Sequence, residues 1–255
     1  MPFLNQLPVI SLRKEPSEKS ELVSQLLYGE TFELMDHFLS WALIRCTHDG
    51  YEGWISHAQL QDTIELHASQ EEVWFVAKHF LPLRQSGGHM LMLPFGSTLA
   101  NRDKDMMAAI FAQWQADGSI VAPKQAGPVQ IVEYARLLLG CPYLWGGRNP
   151  LGYDCSGFVQ VVYKVAGHAI PRDAGEQAKS GQLIDFLDFA KQGDLAFFEN
   201  EAGNIVHVGI LDGNGGIIHC SGKVRMDIID AHGIFQKESR KHTHKLRFVK
   251  RVLPD

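Results

Sequence analysis

The sequence predicts an α+β domain in the second half of the chain, preceded by two small all-β units. Short strand-like runs, broken by glycine and aspartate turns, fill residues 1–62 and predict the first unit. Beyond a Gly127–Pro128 junction, apolar residues recur at helical spacing, and a strand-like hairpin follows at residues 205–221. The change from strand-like to helical spacing predicts a domain boundary between residues 124 and 125.

The composition narrows the class of protein. The 255 residues suffice for two or three small domains, and a net charge of −5 disfavours a nucleic-acid-binding protein. Four cysteines without paired spacing do not indicate a disulfide framework. No basic residue precedes Arg13, and no apolar run approaches the length of a membrane span. We therefore expect a cytoplasmic protein without nucleic-acid or membrane partners, although a chain whose leader had been removed would show the same pattern.

The pattern of residues 1–62 is typical of a small barrel. Strand-like segments at Val9–Arg13 and Leu22–Leu27 precede a Tyr-Gly-Glu turn at residues 28–30, and two further strand-like runs follow. The unit closes with a hairpin, Asp49-Gly-Tyr-Glu-Gly-Trp-Ile55. The Gly-Glu pair after a polar loop and this hairpin together resemble a bacterial SH3 domain.

Residues 63–124 are predicted to form a second, divergent SH3-like barrel. Val73–Ala77 and Leu91–Leu93 are strand-like, and Ile120–Ala122 would close the unit. Asp105–Phe111 fits either a short helix or another strand. The alternative is a spacer that only packs against its neighbours.

In the domain predicted at residues 125–255, a helix over residues 128–139 precedes a glycine-rich loop that leads into Asp154-Cys155-Ser156-Gly157. Apolar residues at helical spacing continue to Gly167, so Asp154 is the expected cap and Cys155 lies in the first turn of a buried helix. The unpaired N–H groups and the helix dipole there are expected to favour a thiolate, the nucleophilic form of cysteine. The alternative is a small buried apolar residue.

The hairpin at residues 205–221 is expected to place two histidines on one face. If Leu211 lies opposite Ile217, then Gly209 lies opposite His219, and His207 is a diagonal neighbour of His219 at roughly 7–8 Å between backbones. Gly209 would leave space opposite His219. A slip of one residue would instead put the histidines on opposite faces.

The last part of the chain contains a basic, histidine-bearing segment, Lys237–Lys245. It is predicted to be a solvated loop. Residues 246–252 are predicted to return as the last strand.

These residues together predict nucleophilic catalysis. Cys155 would be the nucleophile, His207 its base, and His219 the polar group that orients the base. The backbone N–H of Cys155 is a candidate donor to an oxyanion, and Tyr143 is another. The set implies acyl transfer, most simply amide hydrolysis through a thioester, with no metal or cofactor.

A zinc site is the alternative use of the same residues. Cys155, His207, His219 and Cys220 are all possible zinc ligands. Adjacent residues of a strand point to opposite faces, however, so His219 and Cys220 are not expected to share one ion.

Several motifs in residues 128–255 resemble, in their order, the NlpC/P60 family of papain-like cysteine peptidases. The motifs are Tyr143-Leu-Trp145-Gly-Gly, Asp154-Cys155-Ser156-Gly157-Phe158, Gly193-Asp194-Leu195, His207-Val208-Gly209-Ile210 and Ile218-His219-Cys-Ser221-Gly222. The resemblance implies a papain-like α+β fold, with helices against a small antiparallel sheet, and cleavage of cell-wall peptides after D-glutamate.

Two SH3-like units before such a domain are similar to the arrangement in γ-D-glutamyl-L-diamino-acid endopeptidases. The resemblance implies an unsubstituted N-terminal L-alanine on the substrate and a first SH3-like unit that closes the cleft beyond it. It also implies substrate contacts for seven residues, of which the first two would bind the N-terminus: Glu21, Tyr51, Tyr143, Trp145, Asp154, Ser156 and Asp173. Ala174 departs from the serine that is frequent in the family after Arg-Asp, which puts one substrate hydrogen bond in doubt.

The expectation is thus a monomeric, cytoplasmic cysteine endopeptidase that acts on free murein peptides, L-Ala-γ-D-Glu followed by lysine or diaminopimelate, in cell-wall peptide recycling. One alternative is an enzyme anchored by its SH3 units that cleaves intact peptidoglycan. Another is a binding protein without catalytic activity.

Overall fold

The structure is a computed structural model that describes residues 2–65, 73–84, 88–100, 117–122 and 124–253. Contacts divide the chain into two compact units, Met1–Lys124 with Trp145–Pro150, and Gln125–Leu144 with Leu151–Asp255. The segment Asp105–Phe111, predicted as a helix or strand, lies outside the described residues. Among the helices of the described ranges, none combines the length and the apolar character needed to cross a membrane.

An antiparallel sheet of seven strands occupies the first 65 residues, in the order β3-β2-β6-β5-β4-β1-β7. The strands are β1 (Phe3–Asn5), β2 (Val9–Arg13), β3 (Leu22–Leu27), β4 (Thr31–Phe38), β5 (Trp41–Cys46), β6 (Glu52–Ser56) and β7 (Thr63–Glu65), with a short helix α1 (His57–Leu60) before the last. Alternate apolar side chains of β2 and β5 face one core, as expected for strands with one buried side. Because β7 pairs with β1, this sheet extends three residues beyond the predicted boundary at residue 62.

The following strands form a separate small core. They are β8 (Val73–Val76), β9 (Phe80–Arg84), β10 (Met90–Pro94), β11 (Thr98–Ala100) and β12 (Ile120–Val121). β9 and β10 form a hairpin, while β8 pairs with both β11 and β12. Val76, Leu81 and Leu93 are fully buried in this core. The strand-like segments predicted here are confirmed, and β9 and β11 are additional strands.

The segment Trp145–Pro150, which contains β13 (Arg148–Asn149), belongs to the first unit. Arg148 is 1% exposed and forms two hydrogen bonds of 2.9 and 3.0 Å with the carboxylate of Glu30. The side-chain oxygen of Gln25 accepts from the backbone N–H of Arg148 at 2.7 Å and from the amide of Asn149 at 2.9 Å. Buried polar pairs therefore hold this segment.

The second unit combines helices with a seven-stranded antiparallel sheet. The helices are α2 (Pro128–Leu137), α3 (Cys155–Val165), α4 (Ala174–Gln177) and one 3-10 turn (Leu187–Phe189). The strands of the sheet are β15 (Gln182–Ile184), β16 (Leu195–Glu199), β17 (Ile205–Leu211), β18 (Gly216–Ser221), β19 (Lys223–Asp230), β20 (Gly233–Gln236) and β21 (Lys241–Arg251), and a short strand β14 (Gly152–Tyr153) lies outside it. The sheet order is β15-β21-β16-β17-β18-β19-β20, and β20 also pairs with β21. Six strands therefore close into a ring.

The two faces of this sheet have different partners. Phe198, Leu211 and Ile217 lie in one core inside the ring, whereas α3 packs against β17 and β18. The expected helices and final strand are confirmed. The prediction of a solvated loop at Lys237–Lys245 was wrong in its second half, because residues from Lys241 onward form β21 and pair with β20.

Candidate active site

Cys155 is the first residue of α3, as predicted. The helix begins there because the carboxylate of Asp154 accepts a 2.6 Å hydrogen bond from the backbone N–H of Gly157. Cys155 is only 9% exposed. Its thiol thus lies at a capped helix N-terminus, inside the second unit.

Burial and the neighbouring Asp154 carboxylate raise the pKa of Cys155 to about 11. The backbone N–H groups of Val208 and Ser156 lower the pKa, but by less than burial and Asp154 raise it. The backbone N–H of Ser156 acts in the direction expected of the helix terminus, but burial outweighs it. A raised pKa favours the thiol form, so Cys155 needs a base.

His207 and His219 form the expected pair across β17 and β18. The register is Gly209 opposite His219 and Leu211 opposite Ile217, as predicted. The Nε2 atom of His207 lies 2.9 Å from the Nδ1 atom of His219, and both side chains are buried. Burial lowers the pKa of His207 well below its ordinary value, with further contributions from His244 and His219. A neutral imidazole is able to accept a proton from a thiol.

Gly209 provides the space that this pair requires. A Cβ atom at Gly209 would lie 2.8 Å from the Cβ of His219 and 2.7 Å from the Cδ1 of Ile217. Only hydrogen fits without a shift of these neighbours. The predicted gap opposite His219 is confirmed.

Asp227 on β19 extends the line of hydrogen bonds, and the sequence had not drawn attention to it. Its Oδ2 atom lies 3.0 Å from the Nε2 of His219, and Arg225 donates to both of its oxygens at 2.6 and 2.8 Å. Although burial opposes the change, these bonds lower the pKa of Asp227 to about 2. The hairpin around Gly222 could have indicated Asp227 from the sequence. It pairs β19 with β18 so that Arg225 lies opposite His219, and Asp227 is two residues farther along β19.

His244 on β21 is a third histidine at this site. Its ring lies against that of His207, with centroids 4.2 Å apart and planes 27° from parallel. Burial and the neighbouring His219 lower the pKa of His244 to about 4, so it is neutral at pH 7. Nothing in the local sequence indicated this contact, since it depends on ring closure through β20 and β21.

A pocket of about 350 Å³ brings Cys155, His207, His244 and Tyr143 together. That volume lies within the range of small-molecule sites, about 300–1,000 Å³. Burial and the nearby thiol of Cys155 raise the pKa of Tyr143 to about 12, so its hydroxyl remains a donor at neutral pH. Tyr143 is 37% exposed. The structure therefore places this predicted substrate contact beside the thiol.

Asp154 and Ser156 engage Arg172 within the protein. Arg172 is buried and donates to both oxygens of Asp154, one bond measuring 3.0 Å. It also donates to the hydroxyl of Ser156 at 3.0 Å. This network fixes the start of α3. Asp173, the other residue predicted to contact substrate here, is exposed at the N-terminus of α4.

Glu21 and Trp145, two residues predicted to bind substrate, contact each other in the first unit. The indole Nε1–H of Trp145 donates to Glu21 at 2.8 Å. This bond, with a weaker one from Lys14, lowers the pKa of Glu21, so its carboxylate is charged. Trp145 keeps 60% of its surface exposed. Tyr51 is half-buried and packs against the core of the first sheet.

Within the described ranges, three possible metal ligands approach one another at Cys46, His48 and Asp49. The guanidinium of Arg148 lies 3.2 Å from the Nε2 of His48, the nitrogen that also lies 3.2 Å from Asp49. A positive charge already occupies this position and would repel a cation. The residues therefore fit a metal poorly.

Comparison with known proteins gives two family matches. Residues 140–245 match the profile of the NlpC/P60 family, and residues 12–60 match that of the bacterial dipeptidyl-peptidase SH3 domain. The chain is 32% identical over 233 residues to the gamma-D-glutamyl-L-lysine dipeptidyl-peptidase of Bacillus subtilis (strain 168), covering 84% of this chain and 78% of the relative. A protein of the same name from Bacillus cereus (strain ATCC 10987 / NRS 248) is 26% identical over 225 residues, covering 78% and 67%.

The fold is similar to that of an NlpC/P60 family protein from Bacillus cereus ATCC 10987. The TM-score is 0.81 at 18% identity, and the match covers 100% of each chain. At this identity the likeness concerns the fold alone. It confirms the predicted fold class, an α+β domain preceded by two small all-β SH3-like barrels.

Proposed function

Because the chain belongs to the NlpC/P60 family of cysteine peptidases, we propose that it hydrolyses the γ-D-glutamyl bond to a diamino acid in free murein peptides. The observation that carries this proposal is the pocket shared by Cys155, His207 and Tyr143, with His219 hydrogen-bonded to His207. The relatives named gamma-D-glutamyl-L-lysine dipeptidyl-peptidase support the choice of bond.

In the first half of the reaction, the sulfur of Cys155 attacks the γ-carbonyl carbon of D-glutamate. Its proton passes to His207, which is neutral and buried. The tetrahedral oxyanion is stabilised by the N–H of Cys155 and the hydroxyl of Tyr143. The C–N bond then breaks, and His207 returns the proton to the leaving amine of the diamino acid.

In the second half, water hydrolyses the thioester. His207 takes a proton from the attacking water while the oxygen bonds to the carbonyl carbon. The C–S bond of the second tetrahedral species then breaks, the sulfur of Cys155 takes the proton from His207, and the product leaves with a free γ-carboxyl group. His219 remains hydrogen-bonded to His207 and holds its ring in place.

The proposed substrate has an unsubstituted N-terminal L-alanine. A free ammonium needs a carboxylate partner, and Glu21 carries a charge beside the indole of Trp145. Asp173 is the second exposed carboxylate assigned to the substrate, with Tyr51 as a further contact to the N-terminus. Asp154 and Ser156 serve indirectly in this proposal, through the Arg172 network that fixes α3.

We also propose that the enzyme works as a monomer in the cytoplasm, on peptides released during wall recycling. Whether it prefers lysine or diaminopimelate is decided by comparing the two tripeptides. Detection of the protein in the soluble cytoplasmic fraction of its own cells is the check on the location.

The main experiment compares L-Ala-γ-D-Glu-L-Lys with its N-acetylated form, using the wild type and Cys155→Ala. We expect release of L-Ala-D-Glu and lysine from the free peptide alone, and no cleavage by Cys155→Ala. Equal cleavage of both peptides would contradict the requirement for a free amine but leave the peptidase chemistry intact.

A Glu21→Gln variant separates the role of its charge from that of its contact with Trp145. The amide oxygen is still able to accept from the indole, so we expect a raised KM for the free peptide with little change in kcat. Cleavage of intact peptidoglycan with no cleavage of free peptides would favour the wall-anchored enzyme. Tight binding without any cleavage would favour a binding protein.

A further inference from the structure

A line of hydrogen bonds crosses three strands behind the pocket. His207 on β17 contacts His219 on β18, which contacts Asp227 on β19, at 2.9 and 3.0 Å. The side chains of His219 and Asp227 are 1% and 4% exposed. Arg225 closes the line with two bonds to Asp227 and one of 2.8 Å to Glu238.

When Asp227 is ionised and His219 is neutral, the hydrogen positions along this line have one solution. A carboxylate only accepts, so the Nε2 of His219 carries a hydrogen and donates to Asp227. A neutral His219 then has a bare Nδ1, which accepts from the Nε2–H of His207. The other nitrogen of His207, Nδ1, is left with a free lone pair. That lone pair is what a base for the Cys155 thiol requires.

We propose that Asp227 is a positioning residue of this peptidase, which fixes the tautomer of His219 and, through it, the basic nitrogen of His207. The inference rests on the roles given above to Cys155 and His207. In this proposal Asp227 contacts neither the thiol nor the substrate, and it acts through His219 and His207.

Because the residue that orients His207 is a histidine, His219, a further residue is needed to fix its tautomer. A side-chain amide at position 219 would carry its acceptor and its donors on different atoms, so a rotation is enough to present the carbonyl oxygen to His207. An imidazole has two neutral tautomers, and only one of them presents an acceptor to His207. Arg225 keeps the Asp227 carboxylate charged and oriented, which favours the required tautomer of His219.

An Asp227→Asn variant no longer fixes the direction of hydrogen-bond donation along these residues. With its NH2 group towards His219, the amide donates to the Nε2 of His219, so His219 carries its hydrogen on Nδ1. His207 must then accept at Nε2 and carry its own hydrogen on Nδ1, where no lone pair is left for the thiol. The outcome is the wrong tautomer of the base, the effect known for the aspartate of serine-protease triads.

The test is a double-mutant cycle on kcat/KM with Asp227→Asn, His219→Asn and both together. We expect Asp227→Asn to lower kcat/KM by about 10²-fold in the wild type but by less than about 3-fold in the His219→Asn background. A merely structural role for Asp227 predicts equal factors in both backgrounds, which would overturn the proposal. Asp230→Asn is the matched control, since Asp230 lies on the same strand and pairs with His242. It should leave kcat/KM within about 2-fold.

Side-chain 15N NMR of histidine supplies a readout that needs no substrate. We expect His219 to carry its hydrogen on Nε2 in the wild type and on Nδ1 in Asp227→Asn. An unchanged tautomer in Asp227→Asn together with a kcat/KM lowered by about 10²-fold would overturn the proposal. If the tautomer changes as expected while the wild type cleaves no γ-D-glutamyl peptide, the proposed substrate fails and the positioning role stands.

Discussion

The imidazole of His244 lies almost flat on that of His207, with ring centroids 4.2 Å apart. His244 therefore contacts the face of the His207 ring, and His219 contacts its edge. The contact orients the His207 ring, while His244 adds to the lowering of the pKa of His207.

Removal of the stacked ring should slow the reaction. We expect His244→Ala to lower kcat by about 2- to 10-fold, the range that corresponds to one aromatic contact, and His244→Phe to stay within about 2-fold of the wild type. The measurement is steady-state kinetics, with thermal unfolding to show that both variants are folded. Equal losses in the two variants would point to a nitrogen of His244 rather than to its ring.

The same histidines predict how stability depends on pH. His207 and His244 have lowered pKa values in the folded protein, whereas the unfolded chain binds their protons near pH 6.5. Between about pH 6.5 and pH 4 the unfolded state thus binds more protons, so stability falls as the pH falls. We expect His244→Phe to reduce this slope by about 1.4 kcal/mol per pH unit, measured by urea unfolding from pH 4.5 to 7.5. An unchanged slope would show that His244 is already charged in the folded state.

Gly209→Ala should displace His219. The new methyl would come within 2.8 Å of the Cβ of His219, so the strands or the ring must shift. We expect a loss of about 1–3 kcal/mol in stability and at least about a 10-fold lower kcat, because displaced catalytic geometry is costly. Gly127→Ala is the matched control, since a methyl there meets nothing within 4 Å. Wild-type kcat in Gly209→Ala would show that the strands relax without moving the ring.

The buried pair of Arg148 and Glu30 predicts a large stability change in the first unit. Arg148→Met leaves the Glu30 carboxylate buried without its main partner, so we expect a loss of about 3–5 kcal/mol. The double variant Arg148→Met with Glu30→Gln should recover part of that loss. Chemical unfolding of the three proteins is the measurement, and a double variant as unstable as the single one would argue against the electrostatic cause.

Local pattern accounts for the parts of the site that could be predicted. Asp154 and Gly167 bounded the helix of Cys155, and the glycine-rich loop after Leu211 allowed the register of His207 and His219 to be derived. Both inferences use neighbours close in sequence, where helical and strand periodicity apply directly.

The parts that could not be predicted depend on contacts between distant segments. His244 reaches His207 only because the sheet closes through β20 and β21. The raised pKa of Cys155 follows from burial, which a helix-terminus pattern does not reveal. Asp227 is an intermediate case. Its place beside His219 follows from the pairing of β19 with β18, but the burial of β19 does not alternate regularly, so the sequence pattern does not show which side chains of β19 face His219.

The path of the chain limits which segments are exchangeable between proteins. Because Trp145–Pro150 belongs to the first unit, the backbone passes from one unit to the other three times. Exchange of residues 1–124 for another amino-terminal region would therefore leave Arg148 without Glu30 and Gln25 unless six residues from the middle of the peptidase sequence were exchanged as well. A chimera joined only at residue 124 should therefore fail to fold, whereas one that also grafts residues 145–150 should fold.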